Sequence, residues 1–97
     1  MNSDYTVIVN FETDPIEQDQ ALELIGNYIG SYLSQQPGFI KSRLHRSIDG
    51  KQIVHYAQWQ SEEDFRAFAE KAASHPDLPG IRKYKPAANF FKVWNQY

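Results

Sequence analysis

A chain of 97 residues has room for one domain, and a polypeptide of that size buries only about 60–65% of its unfolded surface, so its core is marginal without a partner. A formal net charge of −2 gives no electrostatic case for nucleic acid, and the lack of cysteine excludes a disulfide framework, a thiolate nucleophile and a Cys-type metal site. Aromatic residues make up 14% of the chain, enough to fill a small core and to offer flat surfaces to an aromatic ligand.

Met1 to Tyr5 lacks the basic and apolar regions of a signal peptide, and no apolar run could span a bilayer. A cytoplasmic protein with no membrane or nucleic-acid partner is expected. Tyr5 to Glu12 sets Val7, Val9 and Phe11 against Thr6, Ile8, Asn10 and Glu12, a period-two strand with one buried face. Asp14-Pro15-Ile16-Glu17 predicts a helix start, with Asp14 as N-cap, Pro15 at the first helical position and Glu17 closing the box. Ala21, Leu24, Ile25, Tyr28, Ile29, Tyr32 and Leu33 form its apolar stripe. Gly26 and Gly30, one turn apart, each cost roughly 1 kcal/mol against Ala and predict a close approach on that face, by the sheet or by a flat ligand. Gln36-Pro37-Gly38 ends the helix.

Phe39–Ser47 and Gln52–Trp59 read as a hairpin around Ile48-Asp49-Gly50-Lys51. A second helix follows from about Ser61 to Ala73, with Phe65, Phe68, Ala69 and Ala72 facing the sheet. Ser74 to Gly80 is a breaker cluster, Ile81 to Ala88 a loop or one irregular turn, and Asn89 to Gln96 a final strand. The order strand, helix, strand, strand, helix, strand predicts a single domain over residues 1–97 of the α+β class. Its architecture is ferredoxin-like βαββαβ, a four-stranded antiparallel sheet with two helices on one face. Pairing through the open face would hide it.

That fold alone assigns no function. The strand signature of RNA-binding versions is absent, and the clusters Lys41, Arg43, Arg46 and Arg82, Lys83, Lys85 read as solvated faces. No nucleophile motif occurs, and His45, His55 and His75 lack ligand-like spacing.

Pro37-Gly38-Phe39, Leu44-His45-Arg46-Ser47, Asp49-Gly50, Tyr56-Ala57-Gln58-Trp59 and Ser61 to Phe65 resemble the antibiotic biosynthesis monooxygenase family across the central third of the chain. Within it they are most similar to the cofactor-independent, quinone-forming enzymes of aromatic polyketide pathways. The resemblance implies a homodimeric α+β barrel, no cofactor, and a small aromatic substrate with O₂. In that group a strand-1 Asn and the strand-3 Trp contribute to the site, and Asn10 and Trp59 take those places here. A second family Asn, four residues before the Trp, is replaced by His55, which shares a strand face with Ala57 and Trp59.

Without flavin or metal, triplet O₂ reacts only if the substrate supplies the electron, as a deprotonated electron-rich hydroxyarene of anthrone or naphthol type can. A radical pair, a hydroperoxide, then a quinone and water would follow. His55 is the candidate base, Asn10 a hydrogen-bond partner for the developing oxyanion or peroxide, and Trp59 a stacking surface. Arg43, Arg82 and Tyr84 are candidates to anchor an acidic substrate, with Tyr28, Tyr32 and Phe65 as aromatic contacts. Trp59 can equally be a core aromatic under the second helix. Two other readings stay open. One is a non-catalytic dimeric ligand-binding or stress-response module, which the His55 replacement keeps in play. The other is haem degradation, whose enzymes carry a ligating His about ten residues after the Trp, where this chain has Ala69.

Overall fold

The computed structural model describes residues 5–97; residues 1–4, most of the segment read for a leader, lie outside it. Strand β1 (Tyr5–Glu12) leads to helix α1 (Gln18–Ser31) and a 3₁₀ turn (Leu33–Gln35). The hairpin β2 (Phe39–Arg46) and β3 (Gln52–Trp59) follows, then α2 (Glu62–Ala72), a short α3 (Leu78–Arg82) and β4 (Ala87–Lys92). The strands pair antiparallel in the order β2-β3-β1-β4, the ferredoxin-like α+β arrangement expected. None of the described helices is long and apolar enough to cross a membrane.

Strand pairing decides which residues meet the helices. β1 and β3 run in unbroken register with Val7 opposite Ala57, Val9 opposite His55 and Phe11 opposite Ile53. Because successive side chains alternate faces, these six point the same way. All of them but His55 join Ala21, Ile25 and Tyr28 of α1 and Phe68 and Ala72 of α2 in one apolar core. The even-numbered residues of β1, Asn10 among them, lie on the other face with Val54, Tyr56 and Gln58.

The hairpin turn needs Gly50, whose φ of +80° lies in the left-handed region. Ser47 closes it by accepting from Gly50 N–H at 3.2 Å, and Asp49 caps Lys51 N–H at 3.0 Å. Helix α2 starts as expected, the Ser61 hydroxyl accepting from Asp64 N–H at 3.1 Å.

Several expectations are corrected. Helix α1 starts at Gln18, because Asp14 to Glu17 folds into a turn closed by Glu17 N–H on the Asp14 carbonyl at 2.9 Å; Asp14 caps nothing. Buried Gln18 instead pins the helix to the hairpin through the Ser47 and Gln52 carbonyls. The sheet makes no close approach at Gly26 and Gly30: a Cβ on Gly26 would sit 3.9 Å from Leu44, and one on Gly30 would meet no protein atom within 4 Å. Ala69 lies on the exposed side of α2. The breaker cluster contains the start of α3, since Pro79 in a first turn loses no helical bond. Strand β4 begins at Ala87 and stops at Lys92, leaving Trp94 outside it and 93% exposed.

Candidate functional site

Two concavities differ in character. On the open sheet face, Lys41, Arg43, His45, Tyr56 and Gln58 border a groove with a mixed polar and apolar lining. Between the sheet and the helices lies a cavity of about 170 Å³ with an almost wholly apolar lining. Its floor is Val7 and Val9 of β1 with His55, Ala57 and Trp59 of β3. Tyr28 of α1 and Phe65 and Phe68 of α2 form walls, and Leu78 and Ile81 of α3 complete it. An apolar chamber with a few polar groups is the form small-molecule sites take, and this one, with His55, Tyr28 and Trp59 in its lining, is the candidate.

The most deeply buried ionisable group among them is His55. Its register neighbours are Val9 on β1 and Leu44 on β2, so nothing polar beside it offsets its burial. The ring is 4% exposed, and burial alone pushes its pKa down to about 4, leaving a neutral imidazole at physiological pH. Its Nε2 is fully buried with no hydrogen-bond partner. A buried polar atom left unmade costs roughly 1–3 kcal/mol, which a ligand hydroxyl would recover. Among the described residues Thr6 Oγ1 and Gln36 Oε1 share that condition, and neither lines the cavity.

Trp59 has no exposed surface and packs on Phe39, Phe65 and Phe68 with ring centroids 5.6, 5.6 and 5.2 Å away. It is therefore both core and cavity wall. The junction after it is fixed by Gln60 N–H on the Gly38 carbonyl at 2.8 Å, which ties the end of β3 to the turn before β2. Tyr28 is a second polar candidate. Burial, then the nearby Tyr32 and Asp77, push its hydroxyl up to about 12, so it stays protonated and can only be a neutral donor or acceptor.

The other residues singled out in the sequence scatter. Asn10 stands on the opposite sheet face from His55 and Trp59 and borders a surface depression with Lys51 and Gln52, so the three are not brought together. Phe65 lines the cavity, and Tyr32 packs beside it on Tyr28 and Phe68 with centroids 5.6 and 5.9 Å away. Arg43 lies in the open-face groove, Arg82 is exposed at the end of α3, and Tyr84 is buried in the core without lining the cavity. None of these three reaches the cavity. His75, which the sequence marks only by its lack of ligand-like spacing, sits edge-on to Tyr28 at 5.0 Å and 4.4 Å from the Tyr32 ring. Its Nδ1 accepts from Asp77 N–H at 3.0 Å, joining α1 to the approach to α3. The signal was its place beside Pro76 and Asp77, but nothing local revealed the tyrosines it meets. Among the described residues no three His, Asp or Glu side chains gather as metal ligands.

Comparison with known proteins agrees with the fold. The profile of the family described as Antibiotic biosynthesis monooxygenase matches residues 4–75. Tetracenomycin-F1 monooxygenase of Streptomyces glaucescens is 36% identical over 94 residues, covering 96% of this chain and 84% of that protein. Among solved structures, the monooxygenase from the ActVA-Orf6 gene of Streptomyces coelicolor, crystallised with nanaomycin D, superposes with a TM-score of 0.78. It is 24% identical, over 99% of this chain and 91% of that one. SnoaB of Streptomyces nogalater, a cofactor-independent oxygenase, gives 0.76 at 20% identity over 96% and 95%. At these identities the two structures speak for the fold alone.

Proposed function

The chain belongs to the antibiotic biosynthesis monooxygenase family and is, like its named relatives, an oxidoreductase; on that premise we propose that it oxidises an electron-rich hydroxyarene of anthrone or naphthol type to a quinone with O₂ and without a cofactor. The observation that carries this reading is the unpartnered Nε2 of a neutral histidine in an otherwise apolar, aromatic-walled cavity.

The substrate hydroxyl donates to His55 Nε2 and its ring lies among Trp59, Phe65 and Phe68. Proton transfer leaves an imidazolium beside an aryloxide. An imidazole with a pKa of about 4 is a weak base in the empty cavity. Opposite charges about 4 Å apart gain roughly 4 kcal/mol at an effective dielectric of 20, equal to about three pKa units. The substrate anion thus returns His55 to the neutral range, where general bases work. The aryloxide then passes one electron to O₂, and superoxide joins the ring carbon para to the oxygen. His55 gives up its proton to complete the hydroperoxide. Loss of the C–H proton with O–O cleavage releases water and leaves the second carbonyl. One hydroxyarene and one O₂ become one quinone and one H₂O. The Tyr28 hydroxyl, held protonated, is suited to donate to a substrate oxygen.

We further propose a homodimer built on the open sheet face, where Ile8, Val54 and Tyr56 are half-buried and Phe91 is 47% exposed.

The test is oxygen uptake by metal-stripped protein with a panel of hydroxylated naphthols and anthrones. The expected result is uptake that survives chelation, with one quinone per O₂, and that falls at least a hundredfold in His55→Phe. No uptake across the panel would turn the reading to a non-catalytic ligand-binding dimer.

A further inference from the structure

The cavity is small for polycyclic chemistry. At about 170 Å³ it is close to the ~150 Å³ chamber that accepts a benzene and well below the ~300 Å³ at which sites enclose drug-sized ligands. The space between sheet and helices matches one ring or two fused rings, and a third ring must pass the cavity wall or its open side.

The walls differ in how firmly they are held. The floor is a sheet whose central strands are paired on both sides. Helices α1 and α2 run for 14 and 11 residues and bury Ile25, Tyr28 and Phe68 against that sheet. Helix α3 has five residues, includes Pro79 and Gly80, and receives no side-chain cap from Asp77. A helix so short does not sustain itself. Past its end, the chain is tied to β1 by Glu12 N–H on the Tyr84 carbonyl at 2.7 Å. The ion pairs Lys83–Glu17 at 3.6 Å and Lys85–Glu12 at 3.9 Å are largely exposed, and pairs of that kind hold a segment only weakly. Lys85 itself holds a left-handed φ of 53°, a conformation costly for a residue other than glycine. The cavity side chains of this helix are Leu78, half-buried, and Ile81, 5% exposed.

We propose that Leu78 and Ile81 set how many fused rings the site accepts. As they stand they favour mono- and bicyclic hydroxyarenes over three-ring systems of anthrone length, and a third ring binds as tightly only where these two side chains yield. This rests on the reading that the cavity holds an aromatic substrate.

Binding and turnover are read separately. In a Trp94→Phe background Trp59 is the sole indole, so quenching of its emission reports occupancy of the cavity it lines. Titrations use 1-naphthol and anthrone, with oxygen uptake followed in parallel. The parent is expected to bind 1-naphthol at least tenfold more tightly than anthrone. Leu78→Ala, alone and with Ile81→Val, should shrink that ratio about tenfold, while Leu78→Phe should weaken naphthol itself. Circular dichroism checks that each variant is folded, and half-buried Leu78 is the substitution best tolerated. Equal binding of both ligands by the parent, or a ratio unmoved in folded variants, overturns the proposal. Ring-ranked binding without oxygen uptake supports the size limit and sinks the oxygenase reading. Uptake with unranked binding does the reverse, and no quenching by either ligand overturns both.

Discussion

His55 shows how a neighbourhood rewrites a residue's chemistry. Strand spacing places it with Trp59, but only the pairing of β3 with both β1 and β2 surrounds it with Val9 and Leu44. Sequence therefore gives an ordinary imidazole, and the fold gives one that resists protonation down to a pH of about 4. The consequence for stability has a definite sign. The unfolded chain takes up this proton near pH 6.5 and the folded chain only near 4. Within that window the unfolded state binds more protons, so stability falls as the pH drops. Between pH 7 and 4 this group accounts for about 3 kcal/mol of loss. Urea titrations across the range should show that much more decline in the native protein than in His55→Leu. Asn10 was legible in a different sense. Alternation already separated it from Val7, Val9 and Phe11, but its face relative to Trp59 awaited the register with β3.

At the scale of elements, the connection between the 3₁₀ turn and β2 governs the site from outside it. Gly38 adopts a φ of +87°, its carbonyl holds Gln60, and a Cβ there would overlap the Asp64 side chain in the first turn of α2. Gly38→Ala should therefore destabilise by about 2–4 kcal/mol, from backbone strain and overpacking together. Denaturant midpoints measure this, and a change under 0.5 kcal/mol would show that α2 gives way (about a third of one pKa unit in free energy). The first three strands and α2 were readable because their signals are local: alternation, an Asp-Gly turn and a Ser cap. Helix α3 was not. Its five residues carry Pro and Gly, and what holds Leu78 and Ile81 inward is α1 and the sheet, remote in sequence. The start of α1 misled for a related reason, since Asp-Pro opens a turn as readily as a helix and Gln18 chose the helix through contacts with the hairpin.

For the whole molecule, 97 residues and a sheet covered on one face predict dependence on a partner copy. Ile8, Tyr56 and Phe91 share the uncovered face, so Phe91→Glu should shift the protein to monomer in sedimentation experiments and abolish any rise of Tm with protein concentration. A dimer unaffected by that change would place the contact elsewhere. The sheet's two outer margins are also unequal. Strand β2 bears Lys41, Arg43, His45 and Arg46, whereas the six residues of β4 are Ala-Ala-Asn-Phe-Phe-Lys with a single charge. Charge on an edge repels a stray extended chain, and an apolar edge recruits one. Fibril growth therefore has a preferred end on this molecule: β4 is where a second, misfolded chain would add, and β2 is guarded against it.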